Sequence, residues 1–118
     1  MKLISIFTFD PSNPPPRNSP QLQASMISLI GELMTSGKML DTGGVSPTGL
    51  SVRVERAGNT YNVTDGPFSE SKELVGGFAL FDVDSKDEAV MLTQRFLDLV
   101  GSGTCELHEV DETPIPAL

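Results

Sequence analysis

Hydrophobic and polar positions in the first forty residues change from a strand pattern to a helix pattern. Residues 2–9 mix β-branched and aromatic side chains and predict a first strand. After a proline-rich loop, Ser19 and Pro20 suit the N-cap and the first position of a helix. Apolar residues then recur at helical spacing at Leu22, Met26, Leu29, Ile30 and Leu33. This pattern predicts a helix over 20–36, which Gly37 ends.

The middle of the chain predicts a β-hairpin. Residues 50–56 and 60–64 each alternate between apolar and polar side chains. They are separated by Ala57-Gly58-Asn59, where glycine and asparagine tolerate the positive φ of a tight turn. Before the hairpin, glycines and a proline follow Met39-Leu40, so any strand there is predicted to be short and irregular.

The last forty-five residues predict a strand, a helix and a final strand. Residues 74–83 form a continuous apolar run, which indicates a central strand. Ser85 and Glu88 have the spacing of a capping box at a helix start. Gly101 is expected to end that helix, and 104–110 predicts the last strand. The order is βα, hairpin, βαβ, and we expect a single domain over residues 1–118.

Both faces of the two central strands are apolar. Ile4 and Ile6 alternate with Leu3, Phe7 and Phe9 in the first strand, because side chains alternate faces. In the strand over 74–83 one face is predicted to carry Leu74, Phe78 and Leu80, and the other Val75, Ala79, Phe81 and Val83. We expect Leu80 of this strand and Phe96 of the second helix to pack in the core between sheet and helices.

Two helices can cover only one face of a four-stranded sheet. The other face would be a large apolar patch, and such patches usually mark association sites. Two sheets packed face to face about a two-fold axis would cover it, so the pattern predicts a homodimer. Alternatively, the glycine-rich loop and the C-terminal tail fold over that face.

The charge balance narrows the classes of partner. The chain has 16 acidic and 8 basic residues, a net charge of −8, and no local cluster of Lys and Arg. Nucleic-acid binding and an anionic membrane surface are therefore disfavoured. The chain has no long apolar run and no recognisable secretion signal, so we expect a cytoplasmic location.

Asp65 is the first candidate for chemistry. It follows a strand in a glycine-containing turn, where a carboxylate can lie at the mouth of a pocket and act as a general acid or base. The structural alternative is an Asx-type turn, in which the side chain bonds backbone amides just downstream. Nearby, Glu70 and Lys72 could position a polar ligand, or could belong to a solvated charged loop.

His108, Arg53 and two glycines give weaker signals. His108 shares a strand face with Glu106, and the pair could do acid/base work or lie at an interface. Arg53 could hold a carboxylate or pair with an acidic neighbour. Gly76 and Gly77 in mid-strand indicate a bulge or a close approach by a backbone or ligand, and a tight dimer contact would explain them as well. Cys105, the only cysteine, is expected to be an inert core residue.

Metal and cofactor signatures do not appear in the sequence. One histidine and one cysteine cannot build a closed zinc site, and no phosphate loop or dinucleotide fingerprint is present. We therefore predict no metal and no cofactor.

The segment over 63–78, VTDGPFSESKELVGGF, resembles the signature of the DGPF branch of the YCII-related family. The resemblance implies an α+β, ferredoxin-like fold, with an antiparallel sheet and two helices on one face, that forms a dimeric α/β barrel. Related proteins include enzymes that act on aromatic-degradation intermediates, with a His–Asp pair as the suggested site. The first helix of this chain contains no histidine, which departs from that enzyme pattern.

Two hypotheses of function follow. The first is a non-catalytic dimeric module that binds a small molecule or a protein partner and has a regulatory or accessory role. The second is a lyase or isomerase with Asp65 as acid/base in a pocket near the dimer interface. The residues expected to bind the ligand are Arg53, Gly66, Pro67, Phe68, Glu70, Lys72 and His108.

Overall fold

The computed structural model describes residues 1–16, 19–68 and 73–113 and contains six strands and two helices in those ranges. In chain order the elements are β1 (Lys2–Phe9), α1 (Pro20–Thr35), β2 (Met39–Gly44), β3 (Val52–Ala57), β4 (Thr60–Asp65), β5 (Leu74–Asp82), α2 (Lys86–Val100) and β6 (Thr104–Glu109). Strand β2 is longer than predicted, because Asp41 to Gly44 also pair with β5, whereas the predicted irregularity is present as a register shift between Met39 and Asp41. The other elements agree with the sequence prediction to within two residues.

The main sheet has the strand order β2-β5-β1-β6, and each neighbouring pair is antiparallel. With α1 after β1 and α2 after β5, this is the ferredoxin-like arrangement of two βαβ units. Strands β3 and β4, which lie between β2 and β5 in the sequence, form a separate two-stranded sheet. The prediction of an α+β fold with an antiparallel sheet and two helices is confirmed.

Each helix begins and ends at residues that the sequence predicted. The Ser19 hydroxyl accepts a hydrogen bond from the Leu22 amide at 3.2 Å. Gly37 and Gly101 have φ values of +76° and +88°, which glycine adopts without a Cβ penalty. In the described part of the chain neither helix is long and apolar enough to cross a membrane. The cytoplasmic location stays a prediction.

The cap of α2 differs in one bond from the predicted capping box. The Ser85 hydroxyl accepts from the Glu88 amide at 3.1 Å, as expected. The Glu88 carboxylate, however, accepts from the amide of Asp84 at 3.0 Å and also contacts Lys38 Nζ at 3.1 Å. The bond from the Asp84 amide, followed by that from Lys38, lowers the pKa of Glu88. Glu88 therefore joins the helix start to the residue that precedes β2.

The core lies between the sheet and the two helices. Strand β1 contributes Leu3, Phe7 and Phe9, which alternate with half-buried residues along the strand. The helices and the neighbouring strands contribute Leu29, Leu33, Met39, Phe81, Ala89, Leu92 and Val100. A bidentate ion pair from Arg95 to Glu32, at 2.6 and 2.9 Å, also joins α2 to α1.

A register shift in β5 changes which side chains face the helices. Opposite the junction of Phe7 and Thr8 the pairing slips, so Leu74 pairs with Phe9 and Val75 with Thr8. Leu74 consequently packs against the Phe7 and Phe9 core cluster, and the prediction that it shares a face with Phe78 is wrong. The bulge predicted from Gly76 and Gly77 is confirmed.

The expectation that Leu80 packs between sheet and helices is also wrong. Leu80 pairs with Ile4, one position away from the pair of Leu3 and Phe81 that faces the helices. Leu80 therefore lies on the other side of the sheet, whereas Phe96 packs against both core clusters as expected. Both faces of β5 are apolar, so periodicity alone could not decide which one the helices cover.

The side of the sheet away from the helices, which carries Ile4, Ile6, Phe78 and Leu80, is called the open face. Val75 and Phe78 are 45% and 37% exposed there. Ile4, Ile6 and Leu80 are half-buried and belong to neither core cluster. The apolar second face inferred from the sequence is therefore present.

Candidate functional site

A cavity of about 290 Å³ lies between the sheet and the two helices. It is called the sheet–helix cavity. An apolar cavity of about 150 Å³ is enough to hold benzene, so this one has room for a substituted ring. The lining residues Pro16 and Gly44 are exposed, and they mark the side on which the cavity reaches the surface.

Most of the described residues that line the cavity are apolar. They come from both helices and from the central strands and include Leu22, Met26, Leu29, Phe81, Leu92 and Phe96. Four lining side chains carry a polar atom, namely Ser5, Thr42, Thr93 and Cys105. None of the described lining residues is charged, so the cavity has no carboxylate, ammonium or guanidinium group for acid/base work.

The hydroxyl protons of both threonines are already bound to backbone carbonyls. Thr93 donates to the Ala89 carbonyl at 2.8 Å, and Thr42 donates to the Phe78 carbonyl at 2.9 Å. A hydroxyl that donates its proton still has lone pairs that can accept. The threonines therefore offer the cavity hydrogen-bond acceptors.

Cys105 lies at the β6 side of the cavity. Burial raises the pKa of its thiol, and a hydrogen bond with Ser5 offsets part of that effect. A thiol with a raised pKa is protonated near neutral pH and is a poor nucleophile. The structure therefore fits the sequence interpretation of Cys105 as an unreactive residue.

Gly76 and Gly77 bring the strands and the phenylalanine rings close together beside the cavity. A Cβ at Gly76 would lie 2.7 Å from Phe7 Cδ2 and 3.0 Å from Phe9 Cδ1. A Cβ at Gly77 would lie 2.8 Å from the carbonyl oxygen of Gly43. Contacts this short would displace a ring or a strand, so the close approach predicted for Gly76 and Gly77 is present.

Asp65 lies away from this cavity. It is the last residue of β4, pairs with Val52, and is exposed. Among the described residues no side chain or amide is hydrogen-bonded to its carboxylate, so the predicted Asx-type bond is not seen there. The Gly66 amide donates to the Ser51 carbonyl at 2.8 Å, which extends the pairing of β3 and β4 beyond Val52 and Asp65. The catalytic role of Asp65 stays a prediction.

The other residues predicted around Asp65 form a small cluster at the base of the hairpin. The guanidinium of Arg53 lies over the ring of half-buried Phe68, 4.2 Å from its centroid. A Cβ at Gly66 would collide with Ser51, so the lack of space explains why this position is a glycine. Pro67 is exposed. Glu70 and Lys72, the remaining predicted residues, lie outside the described residues.

His108 belongs to a third location, the edge of the open face. It pairs with Ile4, and Glu106 pairs with Ile6, so both point to that face. His108 Nε2 lies 3.6 Å from Glu106 Oε1, and both side chains are exposed. The shared face predicted from period two is confirmed, but the pair does not line the sheet–helix cavity.

The sequence patterns therefore did not predict the cavity or its polar lining, although one residue, Ser5, indicated it. Ser5 is a polar residue in the alternating series of Leu3, Phe7 and Phe9, and it is only 6% exposed. A polar side chain at a core position of an apolar strand indicates a buried hydrogen-bonding site. Thr42 and Thr93 gave no comparable signal.

These features define an α+β protein of ferredoxin-like topology with an uncharged cavity beneath its sheet. The YCII-related domain family matches residues 17–112, and the chain belongs to that family. Among solved structures, it is similar to 5-chloro-2-hydroxyhydroquinone dehydrochlorinase from Burkholderia phenoliruptrix in complex with 2,5-dihydroxybenzoquinone. The two are 13% identical over 96% of each chain, with a TM-score of 0.46. No curated protein matches the chain significantly.

Proposed function

We propose that this protein is a non-catalytic module that binds a small, uncharged and mostly apolar molecule in the sheet–helix cavity. The observation that carries the proposal is the lining, which is apolar apart from three hydroxyls and one protonated thiol among the described residues. An apolar pocket with a few placed polar groups is typical of ligand sites. A regulatory or accessory role fits such binding.

The lining favours a ligand with one hydrogen-bond donor. The Thr42 and Thr93 hydroxyls have lone pairs to accept from it, because their protons are already bound. A carboxylate ligand would lose its hydration and find no cation among the described lining residues, which is costly. A neutral phenol or alcohol avoids that cost.

Phenol is expected to bind in the cavity, and benzoate about tenfold more weakly or not at all, since about 1.4 kcal/mol is enough for that ratio. Ala79→Leu should weaken phenol binding by a similar factor, because Ala79 lines the cavity beside Ser5 and leucine would fill it. The measurement is the dissociation constant from an amide NMR titration.

Ala57→Leu on the exposed hairpin is the matched control and should leave phenol binding unchanged. Equal affinity for benzoate and phenol would contradict the uncharged site. An equal loss from Ala57→Leu, or no phenol binding at millimolar concentration, would contradict the location.

The alternative hypothesis makes Asp65 an acid/base for lyase or isomerase chemistry near a dimer interface. Since its carboxylate is exposed and does not line the cavity, Asp65→Asn is expected to keep phenol affinity within about twofold, less than 0.5 kcal/mol. The same titration measures it, with circular dichroism as the check on folding. A tenfold loss of phenol affinity in a folded variant would mean that Asp65 contacts the ligand, and it would favour the enzyme hypothesis.

We further propose that two copies pack through their open faces as a homodimer, the dimeric α/β barrel expected from the sequence. The support is the apolar row of Ile4, Ile6, Phe78 and Leu80, which the helices leave uncovered. A facing copy of the same row would remove it from water. Membership of the DGPF branch within the family is a further proposal, supported by the segment over 63–78.

A further inference from the structure

The hairpin formed by β3 and β4 has one apolar and one polar face. Directly paired residues share a face, so Val52, Val54 and Val63 lie on one side together with Tyr61. The other side carries Arg53, Glu55, Asn62 and Thr64. The first side is called the apolar hairpin face.

The apolar hairpin face is uncovered in the described structure. Its four apolar side chains are between 47% and 67% exposed, and all twelve residues of the two strands are exposed. The hairpin also forms a sheet of its own, separate from the four main strands. A two-stranded hairpin is at best marginally stable in water, so a partner on this face would stabilise it.

The charges on this face make it complementary to itself. Asp65 lies at the base beside Val52, whereas Arg56 lies at the tip with its guanidinium 5.6 Å from the centroid of the Tyr61 ring. The pair of Val54 and Val63 lies midway between the two charged ends. A two-fold axis beside that pair would place valine on valine and bring each Asp65 to the Arg56 and Tyr61 end of the other copy.

We propose that the apolar hairpin face binds the same face of a second copy of this chain. The contact goes beyond ligand binding and beyond the open-face dimer, because the hairpin belongs to a different sheet. Four side chains per copy bury much less than the roughly 800 Å² per partner of a stable interface. The hairpin contact is therefore weaker than the open-face contact and depends on the charge pairing.

Chemical cross-linking at Val54 tests the pairing. Facing sheets lie about 10 Å apart, too far for a direct disulfide, so a short bismaleimide is the suitable reagent. In a Cys105→Ala background, Val54→Cys is expected to give about fivefold more cross-linked dimer than Asn62→Cys. The reason is that the proposed contact brings the two copies together through the side of the hairpin that carries Val54. Asn62 is the matched control, because it is exposed on the polar face of the same hairpin.

A charge swap tests the complementarity. Arg56→Glu and Asp65→Arg should each lower the cross-linking yield from Val54→Cys, because each places like charges together. The double variant should restore the yield, since it re-forms the opposite-charge pair in reverse. Circular dichroism confirms that each variant is folded.

Equal cross-linking from Val54→Cys and Asn62→Cys would overturn the proposal and leave the face to a different partner. Failure of the double variant to recover would overturn the charge pairing. The comparison is repeated with Ile6→Glu, which disrupts the open face. The difference between the two cysteine positions should persist there, and its disappearance would show that the hairpin face does not bind by itself.

Discussion

Leu33→Ala is expected to lower the free energy of unfolding by about 2–5 kcal/mol, the usual range for a buried leucine. Leu33 is 3% exposed and belongs to the larger core cluster, with Leu29, Phe81 and Leu92. Truncation would remove apolar contact and leave a void that α1 and the sheet cannot fully close. Urea unfolding followed by circular dichroism measures the change.

Leu80→Ala is the matched control, because the same atoms are removed from the other side of the sheet. Leu80 is half-buried and belongs to neither core cluster. At low protein concentration, where the proposed dimer contributes least, Leu80→Ala should lower the free energy of unfolding clearly less than Leu33→Ala does. Equal losses at that concentration would contradict the assignment of Leu80 to the open face.

Ile6→Glu is expected to convert the proposed open-face dimer into a monomer at micromolar concentration. Ile6 lies in β1 on the open face, opposite Phe78. A carboxylate at that position would have to lose its hydration in the interface, and it would add to a net charge of −8 on each chain. Sedimentation velocity measures the change in mass.

Ile27→Glu introduces the same charge on α1, where Ile27 is 71% exposed, and should leave the dimer intact. An Ile6→Glu variant that remains dimeric at micromolar concentration would place the interface elsewhere. A wild-type protein that is monomeric at all concentrations would remove the open-face proposal altogether.

The local pattern of residues is sufficient to predict β1, β5, β6 and the ends of both helices. Period two in β1 and helical spacing in α1 are local properties, so the pattern of residues is enough to define them. The same holds for Ser19, Gly37 and Gly101, where a cap or a positive φ depends on a single side chain. The hairpin was also predictable, because Gly58 has the positive φ that its turn requires.

Register and the choice of face depend on which strands pair and on which side of the sheet the helices cover. Gly76 and Gly77 indicated a bulge, but only the pairing with β1 placed the slip opposite Phe7 and Thr8 and turned Leu74 toward the helices. The length of β2 followed in the same way from its pairing with β5. Leu80 went to the open face because the helices cover the side of Phe81.

For the candidate site, too, the sequence pattern indicated a local motif, whereas the cavity formed only through packing. The conspicuous motif around Asp65 lies at the base of the hairpin, where the Gly66 amide bonds the Ser51 carbonyl and the Phe68 ring lies under Arg53. The sheet–helix cavity is built from residues far apart in the chain, such as Ser5, Thr42, Thr93 and Cys105. Only the packing of both helices on the sheet brings these residues together, because a cavity is a property of the space between elements and not of any one segment.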